Sequence, residues 1–387
     1  MNINLISRLI ICFFLILFAI SCSNEVKNKN NQKEIESSHE LMKVGSKSFE
    51  LDDETAPQSN QFQVFRTKDS LEILTFLNNY NNSIYFYDFE SEGFLYKKTY
   101  EKEGAHGVGD IFGYHIHNLD SIFIYNYGMS KLFLFNAEEN MINSYNLNQS
   151  KKYLPAARVA TNSPIVVVDN TAYLTGNIAG EYNDETAENR PLLIKLNLVS
   201  KEVDYQISYP EIFREGNWGG GQYRWLSHNY NPIDSLLFFS FSVSHDFKFL
   251  DLKNGKVFNK YAGSKYIEEI PSISSSKMLN SISKEEIRDH FIINGSYQET
   301  GYVPSDNFYF RTVYLPESNY DPAAFNGLQS SMVLLDRYFD VIGETVFGKR
   351  SYGTFVISKT GLYLKKFSDN EDAIIFDQFK LMEIEKD

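Results

Sequence analysis

Asp69-Ser70-Leu71-Glu72-Ile73-Leu74-Thr75-Phe76-Leu77 runs through a polar break into Ile84-Tyr85-Phe86-Tyr87-Asp88, and then into Phe94-Leu95-Tyr96-Lys97-Lys98-Thr99-Tyr100. Short apolar and aromatic runs punctuated by Asp, Asn, Ser and Gly read as strands joined by tight turns. The Asp-Ser pair suits a hairpin, because both side chains can hydrogen-bond their own backbone and Asp and Asn tolerate positive φ. The same punctuation returns at Asp120-Ser121, Asp169-Asn170, Asp234-Ser235 and Asp306-Asn307, with a sixth copy at Thr360-Gly361. Successive copies are 51, 49, 65, 72 and 54 residues apart, as expected of one repeating unit with loop insertions.

Each copy continues alike. A third run ends in Asp or Asn, as at Asp88, Asn136, Asn197, Asp251 and Asp336, and a short turn leads into a fourth. Four consecutive antiparallel strands, repeated six times, describe an all-β fold: a six-bladed β-propeller of four-stranded antiparallel blades. Seven blades or a set of β-sandwiches are the alternatives, and repetition of a single four-strand order argues against sandwiches. The last unit reaches Asp377 with little chain left for a fourth strand, so Ser48–Leu51 is expected to supply it and close the ring. The propeller is placed at residues 48–387. Ser283-Lys284-Glu285-Glu286 fits a capping box, so residues 272–297 read as a surface excursion carrying one short helix.

The N-terminus opens with Arg8, continues as an apolar run from Leu9 to Ile20, and ends Ala19-Ile20-Ser21-Cys22. About 12 apolar residues suit a signal-peptide core and are too few to span a bilayer. Residues 1–21 are read as a lipoprotein signal peptide. Cys22 and the polar stretch to residue 47 are read as a lipidated cysteine and a flexible tether. The chain has two cysteines, Cys12 in the removable segment and Cys22, so no thiol remains for a disulfide, a metal or a nucleophile. The expected location is the bacterial cell envelope, lipid-anchored; Ser23 rather than Asp after the cysteine resembles the pattern of outer-membrane lipoproteins, and that resemblance implies the outer membrane. Membrane lipid, through Cys22, is the first expected partner.

With 37 Lys and Arg against 50 Asp and Glu, the 387-residue chain carries a net charge of −13. No basic block occurs, which argues against nucleic acid as a partner. Aromatic residues make up 15% of the chain, favouring packed strands over disorder.

The Ser21-Cys22 site, the spacer and the Asp-Ser hairpins together resemble an uncharacterised family of Bacteroidota lipoproteins carrying a TolB-like or NHL-like six-bladed propeller domain of unknown function. The resemblance covers about residues 61–384. The connector Glu103-Gly104-Ala105-His106-Gly107-Val108-Gly109 is similar to one that often reads Gly-x-Gly-Pro-Gly-Glu in related propellers, but Ala105-His106 departs from it and the Pro is missing. The resemblance implies fold and location and carries no site.

Connectors between blades lie over one end of a propeller's channel and commonly carry its ligand site. Three stand out: Gly104–Gly109 with His106; Arg214–Trp225 with Trp218, Arg224 and Trp225; and Gly348–Gly353 with Lys349, Arg350 and Tyr352. Glycine admits close approach to the backbone, while Trp, Tyr and Arg offer stacking and charge. These seven side chains are the ligand-binding candidates, for a protein, peptide or glycan partner. The competing reading is that they only cover the channel mouth. His115-x-His117 falls on an inner strand with both rings on one face, but no third ligand is identifiable, so no metal is expected. No cofactor is expected either, because Gly-x-Ser-x-Gly, His-Glu-x-x-His and phosphate-loop patterns are missing. The sequence favours a binding or scaffold module, shading into an accessory role in export or uptake. The alternative is a propeller hydrolase or lyase working at the channel.

Overall fold

A computed structural model describes residues 27–31, 36–59, 61–148, 155–178, 191–219, 222–224, 226–273 and 282–385. The expected signal peptide, residues 1–21, and Cys22 lie outside these residues, as does Trp225. Six antiparallel sheets follow one another along the chain. Blade 1 contains Phe62–Arg66, Glu72–Asn78, Ser83–Asp88 and Phe94–Thr99. Blade 2 spans Gly113–Asn118 to Met141–Asn146, and blade 3 spans Pro155–Arg158 to Val203–Gln206. Blade 4 runs from Leu226–Asn231 to Val257–Tyr261, and blade 5 from Ser296–Val303 to Val341–Phe347. Blade 6 begins with Tyr352–Ser358, Gly361–Lys366 and Ala373–Glu383.

Its fourth strand comes from the other end of the chain. His39–Glu50 pairs antiparallel along the whole of Ala373–Glu383. The closing strand is therefore longer than Ser48–Leu51. It also overturns the reading of the tether to residue 47 as free spacer, because a polar, half-exposed outer strand shows little apolar signal. Leu41 and Phe49 are the residues it buries. Earlier still, Lys27–Lys29 pairs with Glu269–Pro271, so this part of the expected tether is also ordered against the propeller.

Positive φ occurs at five of the six repeated turns, at Ser70, Asp169, Ser235, Asn307 and Gly361 (+130°), and at neither Asp120 nor Ser121. Second strands such as Glu72–Asn78 and Leu236–Phe241 are buried throughout, because every sheet is covered on both faces by its neighbours. Outer strands such as Met141–Asn146 alternate exposed and covered positions. Aromatic rings fill the wedges between blades: Phe62 meets Phe376 across blades 1 and 6, and Phe310 meets Phe355 across blades 5 and 6, with centroids 5.4 and 4.9 Å apart. One wedge is polar. The buried Arg311 guanidinium of blade 5 donates to Ser240 Oγ and to the carbonyls of Phe241, Ser244 and Ala262 in blade 4, and stacks 3.7 Å from the Tyr297 ring centroid.

The capping box forms as read. Ser283 Oγ accepts from Glu286 N at 3.1 Å, and Glu286 Oε2 accepts from Ser283 N at 2.9 Å, opening helix Lys284–Asn294 between blades 4 and 5.

A chain beginning at Ser38 is expected to give one cooperative thermal melt, while a chain beginning at Asp52 leaves Ala373–Glu383 as an open edge and gives none. Equal melts would refute the closure. Arg311→Ala strands four acceptors and is expected to cost about 3–5 kcal/mol in a guanidinium titration.

A plugged channel with two basins

The first strand of blade 3 is broken. Pro155–Arg158 and Val166–Val168 both pair with Thr171–Ile178, and between them the chain leaves the sheet in a tight turn closed by the Ala160–Ser163 bridge. Thr161 Oγ1 accepts from Phe62 N at 2.7 Å and donates to Phe62 O at 3.2 Å, on blade 1. The Asn162 carbonyl accepts from Ser227 Oγ at 2.6 Å and His228 N at 3.2 Å, on blade 4. Asn162 Nδ2 donates to Glu299 Oε1 at 3.2 Å, on blade 5. Blades 1 and 4 stand opposite one another in a ring of six, so a turn bonded to both crosses the axis. It plugs the channel and satisfies its own backbone by doing so.

His228 locks the plug's exit. Burial pushes its pKa down to about 4, leaving the ring neutral. Nε2 donates to Pro164 O at 2.7 Å and Nδ1 accepts from Thr175 Oγ1 at 2.8 Å.

Ala160 lines a basin on each side of the plug. The hairpin-side basin, about 610 Å³, is walled by Gln63, Arg66, Tyr114, His115, His117 and Tyr230, among others. Burial pushes the His115 pKa down to about 3, and its ring centroid lies 6.1 Å from that of His117. Among the described residues no group of three His, Cys, Asp or Glu is placed to hold a metal.

The connector-side basin, about 440 Å³, carries the richer chemistry. Arg158, Asn162, Gln222, Gln298, Glu299 and Thr354 supply its polar groups, and Phe291, Tyr314, Phe347, Tyr352, Phe355 and Phe367 its rings. Asn162 is 8% exposed, and its Oδ1 has no hydrogen-bond partner. Glu299 lies deep in the ring with part of its surface on the basin. Burial pushes its pKa up to about 8, outweighing the hydrogen bond from Asn162, so it holds its proton at neutral pH. Burial lowers Arg158 to about 10, which leaves it charged there. Tyr352 OH donates to Asp377 Oδ2 at 2.9 Å, and Asp377 is held in turn by Lys43 Nζ at 2.8 Å and Ser46 Oγ at 2.7 Å on the closing strand. Ring closure and the basin wall are thus coupled.

Of the seven candidates read from sequence, Tyr352 lines this basin. Gln222, from the same connector as Trp218 and Arg224, joins it. Trp218 itself is fully buried, its Nε1 donating to Ile212 O at 3.1 Å and its ring packed near Phe213 and Tyr223, because the connector folds inward as core. Arg224 is 4% exposed, with its guanidinium 5.9 Å from the Tyr209 ring centroid. Lys349 pairs with Glu317 at 2.6 Å on the surface, and Arg350 and His106 are exposed, outside both basins. Glu299, Asn162 and Arg158 went unread. The usable signal is slight: Glu299 is the one charged residue of the strand Ser296–Val303, among uncharged Ser, Gln, Thr and Tyr.

These features define a six-bladed propeller whose channel is stopped by a turn from its own third blade. Residues 38–346 match the model of the domain of unknown function DUF4221, and the chain belongs to that family. A crystal structure of a DUF4221 member from Bacteroides vulgatus is 22% identical with a TM-score of 0.79, covering 90% of this chain and 99% of that one. A protein of Bacteroides fragilis described as exported is 11% identical with a TM-score of 0.55, covering 91% and 98%. No curated protein matches the sequence. The expected resemblance to an uncharacterised family with a six-bladed propeller domain of unknown function therefore holds.

Glu299 sets a pH signature. The unfolded chain releases this proton near the ordinary value of 4.5, while the folded chain keeps it to about pH 8. The folded state binds more protons in that window, so this group's contribution to stability falls as pH rises through it. Glu299→Gln is expected to flatten that fall in urea midpoints taken at pH 5 and pH 8. Parallel profiles would show that Glu299 is ionised in the folded protein.

Proposed function

We propose that this chain is a lipid-anchored cell-envelope binding protein that holds a small polar group, such as the end of a glycan or peptide, in the connector-side basin. One observation carries the reading. A preformed cavity is lined by Asn162, whose Oδ1 is buried without a hydrogen-bond partner, and by a protonated carboxyl, Glu299, within a wall of Tyr and Phe rings. Buried polar groups without partners are costly, and a ligand that completes them is held strongly and selectively. Rings stack on the apolar faces of sugars or side chains, while the plug fixes the polar groups in advance, so little ordering entropy is lost on binding.

A hydrolase that works through paired carboxylates fits less well, because Glu299 is the one carboxyl among the described residues lining this basin. Location in the envelope rests on the signal-peptide pattern ending at Cys22 and agrees with the exported description of the Bacteroides fragilis relative. A lipid on Cys22 is the means of attachment proposed, on the Ala19-Ile20-Ser21-Cys22 pattern; no helix among the described residues is long and apolar enough to cross a membrane.

Two measurements test this. In cells fed an alkyne-tagged palmitate, the wild-type chain is expected to take the label and Cys22→Ser to lose it. A panel of oligosaccharides and short peptides, read by calorimetry, is expected to yield a ligand whose affinity drops at least tenfold in Asn162→Ala. The same affinity is expected to fall above pH 8 in wild type but not in Glu299→Gln. Arg158, Tyr314 and Tyr352 are the other titratable groups of the basin, and they are common to both chains. A ligand indifferent to both substitutions would place binding elsewhere.

A further inference from the structure

In an antiparallel blade, the loop between the second and third strands and the connector to the next blade emerge at one end of the ring. That end carries a rim of exposed rings. Tyr80, Tyr127, Phe325 and Phe367 stand on such loops of blades 1, 2, 5 and 6, and Phe112 and Tyr266 on the connectors leaving blades 1 and 4. The connector-side basin opens among them. At the opposite, hairpin end, the exposed rings among the described residues are Tyr338 and Phe94, the first residue of the outer strand of blade 1.

The N-terminal segment is tied to the same end. Lys27–Lys29 adds to Glu269–Pro271, in the connector leaving blade 4. Asn30 Nδ2 donates to Ser264 O at 2.8 Å and Ile267 O at 2.9 Å, and Tyr261 OH donates to Asn30 Oδ1 at 2.7 Å. His245 Nε2 donates to Asn28 O at 2.9 Å, while Asn28 Nδ2 donates to Val243 O, both in the second-to-third-strand loop of blade 4. Four residues separate Cys22 from Lys27, and fully extended they reach about 18 Å. A lipid on Cys22 would hold this end of the ring against the bilayer and leave the hairpin end outward.

We propose that the connector face rests on the lipid surface, with its rim of Tyr and Phe rings at headgroup level and the basin opening toward the headgroups. Aromatic side chains favour that depth, where a ring is half solvated and half in the acyl boundary. The net charge of −13 opposes an anionic surface, so the surface is a zwitterionic one. The inference rests on acylation of Cys22 for its anchor and on the rim for its orientation.

The test separates the two. The chain from Cys22 onward is coupled through that thiol to a maleimide-headed lipid in phosphatidylethanolamine–phosphatidylcholine vesicles, and compared by hydrogen exchange with the thiol-capped chain in solution. On vesicles, amides of 78–83, 100–112, 126–131 and 366–373 are expected to exchange at least fivefold more slowly, with the hairpin turns 67–71 and 198–202 unchanged. The triple variant Tyr80→Ser, Tyr127→Ser, Phe367→Ser, chosen at exposed positions and checked for an unaltered melt, is expected to lose that protection. Protection at the hairpin turns, or none at the connector face, overturns the proposal. Because the lipid is attached chemically, the result does not depend on cellular acylation, which the palmitate labelling of Cys22→Ser reads independently.

Discussion

The pairing of His39–Glu50 with Ala373–Glu383 is the contact on which the rest depends. A ring of sheets works only when closed, since an open ring would leave one blade short of a strand and present its backbone groups as an edge. Closure by the N-terminal segment joins the two ends of the chain, so the first and last blades become neighbours. Phe49 and Phe62 then pack with Phe376 in one cluster spanning that seam. The same strand reaches inward chemically, because Lys43 and Ser46 hold Asp377, and Asp377 accepts from Tyr352 at the basin wall.

A closed ring still leaves an axial channel, and here the channel is divided by protein. The Ala160–Ser163 turn trades sheet pairing in blade 3 for hydrogen bonds to blades 1, 4 and 5. Ser227 Oγ donates to the Asn162 carbonyl and accepts from Thr300 N at 3.2 Å, linking blades 3, 4 and 5 at one atom. The plug is thereby as firmly fixed as the blades. The groups lining the connector-side basin are consequently pre-positioned, and Asn162 Oδ1 keeps acceptor capacity that the protein does not use. Burial supplies the electrostatics: a neutral carboxyl and a charged guanidinium share a small cavity because the first sheds its charge more readily than the second.

The proposed anchor and the rim of rings extend the same logic outward. Docking Lys27–Asn30 onto blade 4 leaves four residues between it and Cys22, so a lipid on Cys22, as proposed, would sit close to the connector end of the ring. A basin on the anchored side would meet molecules presented near the membrane, a different population from those met by the hairpin-side basin.

Strand number, blade order, turn positions and the Ser283–Glu286 cap were legible in the linear sequence because each is set by residues within a few positions of one another. Asp-Ser and Asp-Asn make turns locally, buried second strands announce themselves as apolar runs, and a capping box spans four residues. The closing strand was legible only in part, since a polar outer strand resembles a linker until its partner some 330 residues away is in place. The functional interior was not legible at all in its essentials. Trp218 looked like a ligand platform and nothing marked Ala160–Ser163 as a plug, because whether a side chain faces core, channel or solvent depends on where the ring brings other blades. Local chemistry wrote the blades; the meeting of Asn162, Glu299 and Arg158 was decided only when six of them closed around one axis.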